Sequence, residues 1–252
     1  MKTKFFWGVL CLLTTTFAYA QQPSTTNTTP PNGVNAQQNL DALGSPNTGG
    51  GNVILSFDTR YKGFLNSPYL LESWAKGDLF FKNGTKYSDV DLKLNTYSDE
   101  VIVRKRDTGD SIIVDKAAIQ HFTLVNGQGQ QMLFRKLTDA ETKQSGFYQV
   151  LHEGSKYTLL AHYKKTILKA DFKGAYSAGR YYDEFLTSVN YHLVSKNSLE
   201  WVKLKTNEKA LLKTLNDEDG KLKAFIKEQK LNPTKNQEDL VRLIQQADQA
   251  GN

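Results

Sequence analysis

The chain reads as a mainly β protein, an antiparallel meander that closes as a barrel or folds into a two-layer sandwich, followed by a short C-terminal helical segment. Three observations predict this. From Val53 to about Leu204 apolar and polar residues change places every step or two, as in LFFKNGTKYSDVDLKLNTYSDEVIVRKRDTGDSIIVD at 79–115, which is the period of half-buried strands. Glycine- and asparagine-bearing pairs interrupt the run at hairpin spacing. After Thr206 the apolar period lengthens to that of amphipathic helices.

Residues 1–20, MKTKFFWGVLCLLTTTFAYA, carry Lys2 and Lys4, then an apolar stretch from Phe5 to Leu13, then Ala-Tyr-Ala before Gln21. That is the layout of a secretory signal peptide. Its apolar run is far short of the roughly twenty residues a membrane-crossing helix needs. Cys11 follows bulky Leu10, where a lipid-acceptor cysteine needs a small residue, so it is not read as lipidated. Once the leader is removed no cysteine remains, which excludes disulfides, thiolate catalysis and cysteine-bound metals. Residues 21–52 are dominated by Gln, Asn, Ser, Thr, Pro and Gly and read as a disordered polar linker. The few apolar residues between Val34 and Leu43 do not change that.

The β domain is expected over 53–205. Asn83-Gly84 is read as a type I′ hairpin turn that places Phe80 opposite Tyr87. Thr108-Gly109, Asn126 to Gly129 and Gly154-Ser155 punctuate three further hairpins, and Lys196-Asn197-Ser198 joins the last two strands. With nine to eleven strands, closure or stacking hides the edges that an open sheet exposes. The helical segment, 206–252, holds three apolar stripes. They are capped at Thr206, at Asn216 or Asp217, and at Asn236 with Asp239 three residues on.

Chemistry-bearing motifs are weak. The net charge of +6 is small for 252 residues, two of the lysines lie in the leader, and no nucleic-acid footprint results. With Gly154-Ser155 as the turn, His152 faces Tyr157 and His162 faces Phe147, five rungs apart and unable to share an ion. His121 and His192 show no metal-ligand spacing. The DEDG at 217–220 fails as a calcium loop, because Leu215 and Ile226 fall where oxygen ligands are required. AYSAG at 175–179 has Ala175 where a nucleophile elbow needs glycine, which argues against Ser177 as a nucleophile. Asp89 and Asp91 suit a solvated strand face better than a glycosidase pair. The reading is therefore of no catalytic residues, no metal and no cofactor. The aromatic residues Tyr61, Phe64, Tyr69, Trp74, Tyr176, Tyr181, Tyr182 and Phe185 are the candidate ligand or partner contacts.

The string SPYLLESWAKGDLFFKNGTKYSDVDLKLNTYSDEVIVRK at 67–105, with FYQVLHEG at 147–154 and the ending KLKAFIKEQKLNPTKNQEDLVRLI, is similar to uncharacterised exported proteins of Bacteroidota. The resemblance spans most of the chain after the leader and implies a β-rich fold with a helical end and a place in the cell envelope. It supplies no catalytic residue. Asp110-Ser111-Ile112 also resembles an O-glycan acceptor site of exported proteins in that phylum. The expected function is that of an exported, non-enzymatic protein, periplasmic, outer-membrane-associated or extracellular. It would act through contacts with an envelope protein partner, as an accessory or structural component. The alternative is a β-barrel that binds a small apolar or saccharide ligand. No transmembrane span is expected after the leader.

Overall fold

A computed structural model describes residues 53–55, 60–105, 109–139, 142–173, 179–196, 198, 200–205 and 207–249. The expected leader at 1–20, the linker at 21–52, and Tyr176, Ser177 and Thr206 lie outside the described residues. Eleven strands form one antiparallel ladder: β1 (Val53–Leu55), β2 (Ala75–Phe81), β3 (Lys86–Asn95), β4 (Glu100–Arg104), β5 (Ser111–Val114), β6 (Ile119–Val125), β7 (Gln131–Thr138), β8 (Ser145–Glu153), β9 (Tyr157–Leu168), β10 (Glu184–Ser195) and β11 (Trp201–Lys203). Three helices follow, α1 (Glu208–Thr214), α2 (Lys221–Glu228) and α3 (Gln237–Gln249). No helix among the described residues is long and apolar enough to cross a membrane.

The spatial order is β1-β5-β4-β3-β2-β6-β7-β8-β9-β10-β11. It begins at β1 and ends at β11 with no pairing between them, so the expected closed barrel is not formed. Nor are there two separate stacked sheets. The meander is broken once, because β2 pairs with both β3 and β6. The four residues from Asp115 to Ala118 therefore connect β5 to β6, four places apart. A flat sheet would separate those strands by about 19 Å, and Asp115 to Ala118 is a tight turn, closed by the Ala118 N–H donating to the Asp115 carbonyl at 3.0 Å. The sheet must curl. The same curl carries the β3–β4 turn to β8 and β9, where Phe147 N–H donates to Asp99 Oδ1 (3.3 Å) and Lys165 N–H to the Thr96 carbonyl (3.2 Å).

Residues 60–72 strap the curl shut. Leu65 makes a parallel bridge to Glu184 at the start of β10, and Tyr69 an antiparallel bridge to Asn95. Leu70 N–H donates to the Leu94 carbonyl (2.9 Å) and Thr96 N–H to that of Pro68 (2.9 Å). Lys165, itself buried, donates to the Ser67 carbonyl.

Alternation places the core. Leu79, Leu92, Val103, Phe122, Phe134 and Phe147 fill the inside of the curl, with Phe122 stacked on Phe134 at 5.0 Å. A second core, with Leu159, Leu193, Leu211, Leu240, Leu243 and Ile244, lies between the helices and β9–β10. A hydrogen-bonded seam separates the two. Tyr163 Oη bonds Gln149 Oε1 (2.7 Å) and Gln237 Oε1 (3.1 Å), and Tyr191 Oη donates to Gln237 Oε1 (3.3 Å).

Two hairpin registers differ from expectation. Leu79, not Phe80, faces Tyr87. The loop is three residues, Lys82 to Gly84, closed by the Gly84 N–H donating to the Phe81 carbonyl, and only Gly84 has positive φ, +86°. This is a type I turn with a left-handed third residue, not type I′, and it slips the register by one. In β8–β9 Gly154 pairs with Tyr157, so the loop is Ser155-Lys156; Glu153 faces Thr158, and His152 faces Leu159. A bulge after Val150 then leaves Gln149 opposite Ala161.

The helix caps also shift. Asn207, one residue past the expected Thr206, caps α1 by accepting the Ala210 N–H (2.9 Å). Asp217 accepts from Leu222 and Lys223 at the start of α2. Asn236 accepts from Glu238 and Asp239, but Asp239 turns to the Asn232 N–H instead of completing a capping box. Asp91, expected on a solvated face, is buried between Lys76 (2.8 Å) and Arg104 (2.7 Å). Ser111 opens β5 opposite Arg104.

Candidate functional site

Where the curl brings the β3–β4 turn against β8–β10, a polar cleft of about 480 Å³ opens, inside the size range of small-molecule sites. Its floor is built by strand register. His162 pairs with Asn190, and His192 sits two residues further along β10, so the three share one face. Tyr148 of β8 stands beside them, its ring 4.5 Å from His162 and 5.6 Å from His192. The walls come from Thr96, Tyr97 and Asp99 on one side, and from Asp139, Thr142 and Gln144 to Gly146 on another. Lys116, Lys164 and Lys203 add cations.

Three of these charges are fixed by the scaffold. Lys116 Nζ bridges the Asp99 carboxylate and the Ser145 carbonyl. Asp139, buried, accepts the Thr142 N–H at 2.8 Å. His192 is buried and its Nδ1 accepts the Trp201 indole N–H at 2.9 Å. Indole nitrogen only donates, so Nδ1 carries no proton and Nε2 does. Desolvation pushes His192 down despite Asp139, whose Oδ2 lies 3.9 Å from Nδ1. Burial lowers His162 as well. Burial, reinforced by Asp139 and Asp99, pushes the Tyr148 phenol up to about 12. At neutral pH the floor is thus two neutral imidazoles and a neutral phenol, a mixture of donors and acceptors without fixed charge.

Sequence reasoning separated His152 from His162, and the structure agrees, since His152 faces Asp248 on α3 at 3.2 Å. It did not foresee that His162 and His192 would share a cleft. His121 stacks on Phe80, 4.1 Å away and outside the cleft. Among the described residues no group of three or more His, Cys, Asp or Glu side chains is placed to hold a metal ion.

Among the described residues the aromatic candidates do not converge on one cavity, and of them only Phe185 is fully buried. Tyr61, Phe64 and Phe185 form one cluster, with Phe64 stacked on Phe185 at 5.1 Å and Tyr61 edge-on to Phe185 at 5.3 Å. The cluster buttresses Tyr97, whose ring lies 5.8 Å from Tyr61 and 5.4 Å from Phe185. Tyr97 is 42 % exposed and forms the rim of the cleft. Tyr69 and Trp74 sit elsewhere and share the Lys93 ammonium, at 4.3 and 5.2 Å. Tyr181 and Tyr182 are exposed, with Phe172 stacked on Tyr181 at 4.1 Å. Tyr176 lies outside the described residues. Tyr97, Asp99, Asp139 and Tyr148 were missed. Alternation puts Asn190 and His192 on one face of β10, but only the β9–β10 pairing, which the sequence does not show, sets His162 beside them.

Comparison with family models, curated proteins and solved structures finds no match.

Proposed function

We propose that the protein is an exported, non-enzymatic binding module of the cell envelope that takes a saccharide in the polar cleft. Export and membership of the Bacteroidota family rest on the leader-like residues 1–20 and the motifs at 67–105. The cleft carries the ligand reading. A sugar ring offers an apolar C–H face and hydroxyls that both donate and accept. The cleft meets it with an exposed tyrosine at the rim, Tyr97, and with Asn190, His162, Tyr148 and Asp139 in the floor and wall. A purely apolar ligand is disfavoured by that lining. The non-enzymatic reading is supported by His192, whose Nδ1 is occupied by Trp201 and so is not free to take a substrate proton.

The test uses the Trp201 indole N–H as reporter, because it is bonded to the cleft's own histidine. Titration with a panel of neutral and acidic oligosaccharides should shift this resonance in a saturable way. Tyr97→Ala should weaken binding by about tenfold, roughly 1.4 kcal/mol. A panel that leaves the resonance unmoved at millimolar concentrations overturns the ligand reading.

A second reading, contact with an envelope protein partner, is favoured by a separate observation. The six large hydrophobic side chains left exposed among the described residues are Leu65, Tyr97, Phe172, Tyr181, Tyr182 and Leu186. All gather around the start of β10. An exposed aromatic concentration of this kind is characteristic of interaction surfaces.

A further inference from the structure

The two ends of the ladder are three-residue strands, β1 and β11, and short edge strands are one way proteins blunt unwanted pairing. The exposed edge that matters lies one strand further in. β10 is twelve residues long and pairs with β9 along its whole length, from Glu184 opposite Leu168 to Ser195 opposite Tyr157. On its other side the described residues cover it at both ends only. At the start, Leu65 N–H donates to the Asp183 carbonyl (2.8 Å) and Phe185 N–H to the Leu65 carbonyl (3.1 Å). At the far end, Leu204 N–H donates to the Tyr191 carbonyl (2.8 Å), and β11 pairs with His192 to Val194.

These bonds fix which backbone groups face outward. Phe185 and Tyr191 both point away from β9, and in an antiparallel strand that direction recurs at every second residue. Thr187 and Val189 therefore point the same way. No described residue hydrogen-bonds their two N–H groups and two carbonyls. Leu186, Thr187 and Ser188 are exposed, and Val189 and Asn190 half-buried. A stretch of strand edge whose ladder groups meet no described partner sits in line between two segments, Leu65 and β11, that are already paired to the same edge.

We propose that this gap on β10 is a docking site for an extended peptide segment of a partner protein, added as a short strand between Leu65 and β11. Main-chain bonds to Thr187 and Val189 would hold it, with Leu186 and Tyr182 beside it as side-chain anchors. Continuity with the two segments already on that line sets the occupant as an extended chain and not a helix or a small molecule. The inference rests on the partner-contact reading, and the two fail separately.

The test is amide hydrogen exchange on the chain from Gln21 onwards, alone and with a synthetic heptapeptide of alternating valine and threonine ended by lysines. In the free protein the Thr187 and Val189 amides should exchange fast and those of Leu186 and Ser188, which face β9, slowly. Saturating peptide should slow Thr187 and Val189 by about tenfold or more. Thr187→Pro and Val189→Pro remove only an outward N–H, which an edge strand tolerates. Both should keep the native melting temperature and abolish the protection.

Peptide binding without protection at these two amides, or no protection at millimolar peptide, overturns the proposal. In the first case the partner-contact reading stands. Protection already present in the free chain and lost on deleting residues 21–52 assigns the gap to the chain's own segment and overturns it too. So does a dimer that Thr187→Pro dissolves, which assigns it to a second copy.

Discussion

The Asp248 carboxylate, on the last turn of α3, accepts N–H bonds from Ser155 (2.9 Å), Lys156 (2.7 Å) and Tyr157 (3.0 Å) and lies 3.2 Å from His152 Nε2. An acid at a helix C-terminus is opposed by the helix dipole, so these donors from the β8–β9 loop are what make the position tolerable. Burial opposes the charge, but the donors outweigh it and hold the Asp248 carboxyl below its usual range. A depressed folded value means the contribution is complete above the unfolded carboxylate range, about pH 4, and is lost as pH falls through the folded value. Acid titration followed by α3 amide exchange should therefore show this helix end loosening below about pH 4. Asp248→Ala leaves three backbone donors of the β8–β9 loop without this acceptor and should cost about 1–3 kcal/mol in chemical denaturation. A Cβ added at Gly154 would lie 1.4 Å from Asp248 Oδ2. Gly154→Ala should accordingly release the same contact, and the double variant should cost far less than the sum of the two.

α3 carries Leu240, Leu243 and Ile244, all fully buried in the helix-side core. Leu243→Ala should lower stability by roughly 2–5 kcal/mol, measured as a shift of the denaturation midpoint at unchanged slope. Elements of this kind were legible because their signals are local. Three apolar stripes gave three helices, and glycines at positive φ mark the loops at 84, 109 and 129. Register was less legible, and parity decides how much that mattered. In β8–β9 the loop falls one residue later than expected, which shifts the pairing by two, so next to the turn every side chain keeps its face. In β2–β3 the slip is one residue next to the turn, which puts Leu79 and not Phe80 on the face of Tyr87, and the irregularity between Gly77 and Leu79 then restores the expected pairing, with Gly77 opposite Val90. Leu79 goes inside, and Phe80 goes out to stack on His121. The difference between a type I′ turn and a type I turn with a left-handed third residue lies in the backbone of Asn83, and Asn is compatible with both.

The polar cleft could not be read from the chain, because it exists only after the sheet curls and brings residues near 97, 146, 162 and 192 together. Alternation says which face a side chain takes but not how far the sheet bends. The curl also ties the two cores into one body, since β8 and β9 contribute Phe147 to one core and Leu159 to the other. Trp74 lies just before β2, fifth along the ladder, and Trp201 in β11 at one end of it. Their emission should change at a single denaturant midpoint. Two separated midpoints would show that the seam of Tyr163, Gln149, Gln237 and Tyr191 divides the molecule into independent units.

The strap has a consequence in time. Asn66 donates to Glu184 and to the Phe185 carbonyl, the latter 119 positions along the chain, and loop closure over such a span is slow. A polypeptide that emerges from a ribosome or a translocation pore N-terminus first holds its strap ready long before the strand that receives it exists. The curl stays unlocked until β10 has emerged. The chain thus remains threadable for most of its passage and closes only when nearly three quarters of it is through.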